Sequence, residues 1–291
     1  MSNFSALNTA LSGLQAHQQA LELTGANIAN VNTPGYTRRR VDLQPAGGAA
    51  IRSRYSDTIQ WSNLGVNVAG VIRARDAFLD VKARTEMANS ASATTLSNVL
   101  SGVEATFPEP SDTGIASQLS GLWNAFDGAA NKPGSIPART AVLAQATSLV
   151  QSLNKASTDL TDLRNNLSTS LSATITEVNS MAKQVADLND QIRSGTVSGA
   201  EVGDLQDRRD VLIDKLTSSV GATARPGESN TIDVILGGTA LVSGIHAEQL
   251  AAVSTGPLSP PLDTLPIQKT ELRWASDGDD TGCGPVREQR N

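Results

Sequence analysis

The chain is 291 residues long, with 39% hydrophobic and 3% aromatic residues and a formal net charge of −6. That length accommodates one large domain or two ordinary ones, and the negative balance leaves no basic surplus to neutralise phosphates, which argues against a nucleic-acid partner. A single cysteine, Cys283, excludes an intrachain disulfide framework, and the chain has no apolar run of the ~18 residues that membrane insertion of a helix requires.

The first predicted element is a helix over Ser5 to about Val31. Leu7, Leu14, Leu21 and Ile28 recur every seven residues, and Phe4 and Leu11 begin the companion row of an a/d seam. Glu22 is the only formally charged residue between Ser2 and Thr37, and Gly13 and Gly25 weaken the helix. Such a helix is marginal alone and stable when surrounded, so disorder of residues 1–32 in the isolated monomer is expected. Pro34 moves Thr33 out of the helical region, and Pro34-Gly35 fits the centre of a type II turn. The run Arg38, Arg39 and Arg40 then reads as a solvated edge or as charge offered to a neighbour's acidic face.

Alternation at Val41 and Leu43, and again at Val66, Val68 and Ile72, predicts two strands separated by a loop or arm over Gly47 to Asn63. A second helix is predicted from near Asp76 to Phe107, closed by Pro108 and Pro110, and a third from about Gly114 to Ala130. Apolar steps of three and four carry the longest helix from about Ala138 to Ser194, continuous or broken near Asn165. A charged helix, DLQDRRDVLIDKLTSSV, follows, in which Asp204 and Arg208 are spaced to pair and QDRRD reads as an ion-paired surface face. TIDVILGGTALVSG predicts a hairpin across Gly237-Gly238, and TELRWAS one more possible strand in an otherwise irregular tail. The fold class is therefore mainly α, with a small β region after the first helix and a small β-hairpin unit after the long helices.

Chemistry is sparse. His17 and His246 lack partners at metal-ligand spacing, Cys283 has no base beside it, and no phosphate-binding loop or dinucleotide fingerprint occurs. No catalytic residue, metal site or cofactor is expected, and the chain reads as a non-enzyme.

The segment SALNTALSGLQAHQQALELTGANIANVNTPGYTRRRVDL resembles the N-terminal region of the flagellar axial proteins, the rod, hook and hook–filament junction components. The resemblance rests on a heptad helix ending in Ala26, Asn27 and Asn30, then Thr33, Gly35 and Tyr36 in a turn, then the basic Arg38. GVNVAGVIRARDAFLDVKART, the long helical body, and DLQDRRDVLIDKLTSSVGATA with its hairpin are similar to the junction components, so the likeness covers about residues 2–253, with TELRWASDG as a weaker outlier.

The resemblance implies a structural protein of the extracellular flagellum, joining hook to filament and exported without a cleaved signal peptide; the alternatives are another hook or rod component, or a secreted coiled-coil binding protein that converged on a heptad N-terminus. It implies copies packed in a tubular lattice through Phe4, Leu7, Leu11, Leu14, Leu21 and Ile28, between the hook protein and a second junction protein. It also implies that the chain stops short of a C-terminal heptad helix, as a truncated or frameshifted reading would. Asn27, Asn30 and Asn32 are expected to close the helix end with neutral hydrogen bonds, Thr33, Pro34 and Gly35 to reverse the chain, and Tyr36 to pack on the next strand layer. Three regions are expected: an axial part over residues 1–75, a helical body with its hairpin over 76–253, and an irregular tail over 254–291.

Overall fold

The computed structural model of the protein describes residues 3–46, 65–257 and 268–275. The arm expected over Gly47 to Asn63 and the lone Cys283 lie outside the described residues.

Helix α1 (Asn3–Ala29) leads through the Pro-Gly turn into an antiparallel hairpin of β1 (Arg39–Pro45) and β2 (Val66–Arg73), in which Arg39 lies opposite Arg73. Helix α2 (Ala77–Thr106) starts where the Asp76 carboxylate accepts the amides of Phe78 and Leu79 at 2.9 and 3.2 Å. Helix α3 (Ile115–Asn131) packs along α4 (Ile136–Ser198), which runs unbroken past Asn165 for 63 residues, about 95 Å at the α-helical rise. Gly199, in the left-handed region at φ 74°, ends α4, and Gly221 does the same for α5 (Gly203–Val220). A four-stranded antiparallel sheet then follows in chain order: β3 (Thr223–Pro226), β4 (Ile232–Leu236), β5 (Thr239–Ser243) and β6 (His246–Ala247).

The chain continues into a last hairpin, β7 (Gln249–Pro257) with β8 (Gln268–Ala275). β8 is the strand read as possible from TELRWAS, whereas its partner β7, which begins at Gln249, is not among the expected strands.

The core occupies one end of the helical body. Val178, Ala182 and Val185 of α4, Ile213 and Leu216 of α5, Val234, Leu241 and Val242 of the sheet and Leu250 of β7 close it. Away from it the helices are thinly packed. Neither α2 nor α3 buries a residue, and α4 buries only Ala156 before Ile175. Three helices side by side, without a sheet to roof them, leave Leu96, Leu100, Trp123, Phe126 and Leu143 exposed.

Asparagine side chains bind helices to strands by imitating a neighbouring strand. Asn179 of α4 donates to the Leu250 carbonyl and accepts its amide, both at 2.9 Å. Asn189, fully buried, does the same to Ile232 at 2.9 and 3.2 Å. Asn189 also donates to the Gly244 carbonyl at 2.6 Å, so it ties the start of β4 to the turn after β5.

Candidate assembly surface

The seam residues predicted from the heptads all fall on α1, and the five from Leu7 to Ile28 face away from the rest of the chain. Leu7, Leu11, Leu14, Leu21 and Ile28 are between 48% and 73% exposed. Phe4 lies in the first turn of the same helix. The shielded face is the opposite one, formed by Thr9, Ser12, Ala16, Ala20, Leu23, Asn27 and Asn30 at steps of three and four. Ala16 is buried, and the Ser12 hydroxyl accepts the Val66 amide at 3.2 Å while donating to the Thr9 carbonyl at 2.9 Å. A side chain on Gly65 would collide with that hydroxyl, so glycine at φ 96° lets β2 come this close.

The helix thus rests on its own hairpin through a small, polar face and keeps its leucines outward. The expectation that residues 1–32 are disordered in the isolated monomer is tested by amide exchange, where strong protection of Leu7–Ile28 in the dilute chain would count against it. The leucine rhythm marks the strongest apolar stripe and carries no information about the small-residue face beneath it.

At the end of α1 the motif residues converge. The Asn27 amide donates to the Arg39 carbonyl at 2.8 Å, and its oxygen accepts the Arg39 N–H and the Tyr36 hydroxyl, each at 2.9 Å. Asn30 donates to the Ala26 carbonyl at 3.0 Å and accepts the Thr33 hydroxyl at 3.1 Å. The Tyr36 amide donates to the Thr33 carbonyl at 3.1 Å across Pro34 and Gly35, with Gly35 at φ 81°, the geometry a type II turn requires. A Cβ at Gly35 would lie 2.1 Å from a methyl carbon of Val211, so the turn sits directly on α5. Asn32 and Arg38 are exposed and stand apart from this cluster. Tyr36 lies beneath the Arg39 guanidinium, 5.3 Å from its ring centroid, instead of against a strand layer.

The arginine run is corrected at its centre. Successive side chains of a strand alternate between faces, so Arg38 and Arg40 stay exposed while Arg39 is buried. Its guanidinium reaches Asp204 at 2.5 Å, Asp207 at 2.7 Å and Glu201 at 3.5 Å. Asp207 bridges to Arg73 at 2.5 Å, and Arg73 continues to Asp210 at 2.6 Å. Arg75 joins Asp210 at 2.7 Å to Asp80 at 2.8 Å, and Arg84 of α2 meets Asp214 at 2.7 Å.

The QDRRD stretch is ion-paired as expected, yet it is interior. Asp207, Arg209 and Asp210 are all buried, and Asp204 meets Arg39. On one helix the sequence gives no sign that three arginines from a hairpin more than 130 residues away cover this face.

Electrostatics follow the packing. Burial raises the cost of ionising Asp207, but hydrogen bonds from Arg39 and Thr37 and the nearby Arg73 charge outweigh it and hold its pKa below the usual 3.8. Burial likewise disfavours the Arg39 cation, and Asp207 and Asp204 more than compensate, raising its pKa. Arg209 is the converse: burial, with added repulsion from Arg73 and Arg84 that Asp210 only partly offsets, lowers its pKa to about 10. Its guanidinium donates to neutral acceptors, Asn189 at 3.0 Å and the Asn230 carbonyl at 2.8 Å.

Between the Pro-Gly turn and helices α4 and α5 lies an open groove of about 760 Å³, bordered by Tyr36, Gln184, Asp187, Gln191 and Arg208. Among the described residues no cluster of His, Cys, Asp and Glu has the arrangement of a metal site, and no helix is long and apolar enough to cross a membrane.

Residues 100–281 match the family model described as the flagellar hook-associated protein FlgK helical domain, and residues 7–37 match the one described as flagella basal body rod protein. The first of these extends over the TELRWASDG stretch, the weaker outlier of the sequence motifs. Over 243 residues the chain is 35% identical to flagellar hook-associated protein 1 of Bacillus subtilis, covering 83% of this chain and 46% of that protein. Over 252 residues it is 31% identical to the protein of the same name from Salmonella typhimurium, covering 86% and 44%. The solved structure of the flagellar hook junction protein FlgK from Burkholderia pseudomallei is similar at a TM-score of 0.55 and 25% identity, covering 68% of this chain and 33% of that one. The chain thus spans less than half the length of the curated relatives it matches.

Proposed function

The chain belongs to the family of the flagellar hook-associated protein FlgK helical domain, and from that premise we propose that it is a structural component of the bacterial flagellum at the junction between hook and filament. In this reading it is no enzyme. Copies pack side by side in a tubular lattice, with the hook protein on one side and a second junction protein on the other. The chain reaches that extracellular site by export without a cleaved signal peptide.

The observation that carries the reading is the outward leucine seam of a helix whose other face is already seated on its own hairpin. Burying five such side chains is worth about 8–15 kcal/mol as an upper bound, and only contact with other helices can realise it. A sparsely charged helix suits the inside of a packed tube, where a charged one would have to shed its hydration.

A rod or hook component is the second reading, favoured by the rod-protein match at residues 7–37. The 63-residue α4 and the body around it weigh against it, since the helical-domain family match begins within that body.

Deleting the gene in the bacterium that produces the protein is the test. The expected phenotype is completed hooks without filaments, with filament protein shed into the medium. Filaments of normal length on intact hooks would refute a junction role, and loss of the hook itself would favour the second reading.

A further inference from the structure

We propose that Arg39 is a positioning residue that fixes the direction in which α1 leaves the helical body. It is tied from two sides at once. Its backbone N–H and C=O are both held by Asn27 at the end of α1. Its side chain is held by Asp204 and Asp207 of α5 and by Glu201 just before that helix.

Each partner is built for this one placement. A Cβ on Gly203 would fall 2.8 Å from the guanidinium carbon, so glycine lets the planar group lie flat on the first turn of α5. Glu201 and Asp204 sit near the positive end of that helix, where carboxylates are favoured and a bare cation is not. Arg73 lies opposite Arg39 across the hairpin, and like charges in such a pair repel. The Asp207 carboxylate separates them, giving one oxygen to each. Tyr36 closes the remaining side and is itself anchored on Asn27.

The planar fork of arginine meets this geometry, whereas Arg38, just before β1, and Arg40, on its other face, are exposed. Tilting α1 against α5 would break the Asn27 bonds or the carboxylate bonds, so the two elements move as one body. The inference rests on the assembly reading only for its consequence: the leucine seam is presented at a set angle.

The test is a distance distribution in dilute full-length chain carrying Cys283→Ser, with spin labels at Gln15→Cys on α1 and Lys215→Cys on α5, both exposed. A narrow distribution is expected for the parent. Arg39→Gln broadens it at least twofold, while Arg38→Gln and Arg40→Gln leave it unchanged. An unchanged width in Arg39→Gln overturns the proposal, and so does equal broadening by Arg40→Gln, which would make bulk charge the cause. Should Arg39→Gln lose its helical signal, Asp207→Asn decides, since it keeps the shape and removes the bridging charge: broadening is expected, and a parental width is fatal. Leu21→Asp leaves the width unaltered, so failure of the seam as an assembly face is read separately from failure of the joint.

Discussion

Asn27, Asn179 and Asn189 do at three places what a fourth strand or a turn does elsewhere, each taking both backbone groups of one strand residue. Asn189 has the most at stake, because it also accepts from the buried Arg209 and donates to Gly244. Replacing it with alanine strands several buried polar groups together, and a loss of about 3–4 kcal/mol in urea denaturation is expected. Asp207 sets the acid limit of the joint. Its folded pKa lies below the ordinary 3.8, so the stability it contributes is fully present above that value and is lost as pH falls through the folded pKa. The joint is therefore expected to stay intact at pH 5 and to loosen below about pH 4, seen as faster amide exchange in β1. In Asp207→Asn that acid step shrinks.

Elements were legible in the sequence where one stripe of apolar residues controls them. The seven-residue rhythm of Leu7 to Ile28 and the three-four steps through Val185 and Ile192 predict α1 and α4 to within a few residues. Legibility failed where the partner is distant in sequence. Arg39 looked like one of three equivalent arginines, and Asp207 and Asp210 like a solvated face, because burial of a charge depends on what the fold brings to it. The small face of α1 was silent for a related reason: threonine, serine and alanine carry no signal that a hairpin covers them. Along α4 the difference in packing makes a prediction. Amides from Val178 to Ile192, over the core, are expected to exchange at least a hundredfold more slowly than those from Leu143 to Leu167, where the apolar side chains have little cover.

At the scale of the molecule, charge is divided unevenly. Residues 1–75 hold seven Lys and Arg against three Asp and Glu, while residues 76–257 hold 12 against 20. The two parts attract, and Arg39, Arg73 and Arg75 are the contacts in which that attraction is realised. What remains outside is a helix with an apolar edge and almost no charge. That edge would gain from packing against other copies, as the proposed function requires.

The seam itself is the most direct thing to measure. Leu14→Asp combined with Leu21→Asp changes two exposed positions, so the melting temperature of the dilute chain should move by no more than about 1 °C. Expressed in the deletion strain alongside the unaltered chain as the positive control, the double variant is expected to leave hooks bare. Filaments restored to the level of the unaltered chain by that correctly folded variant would contradict the account.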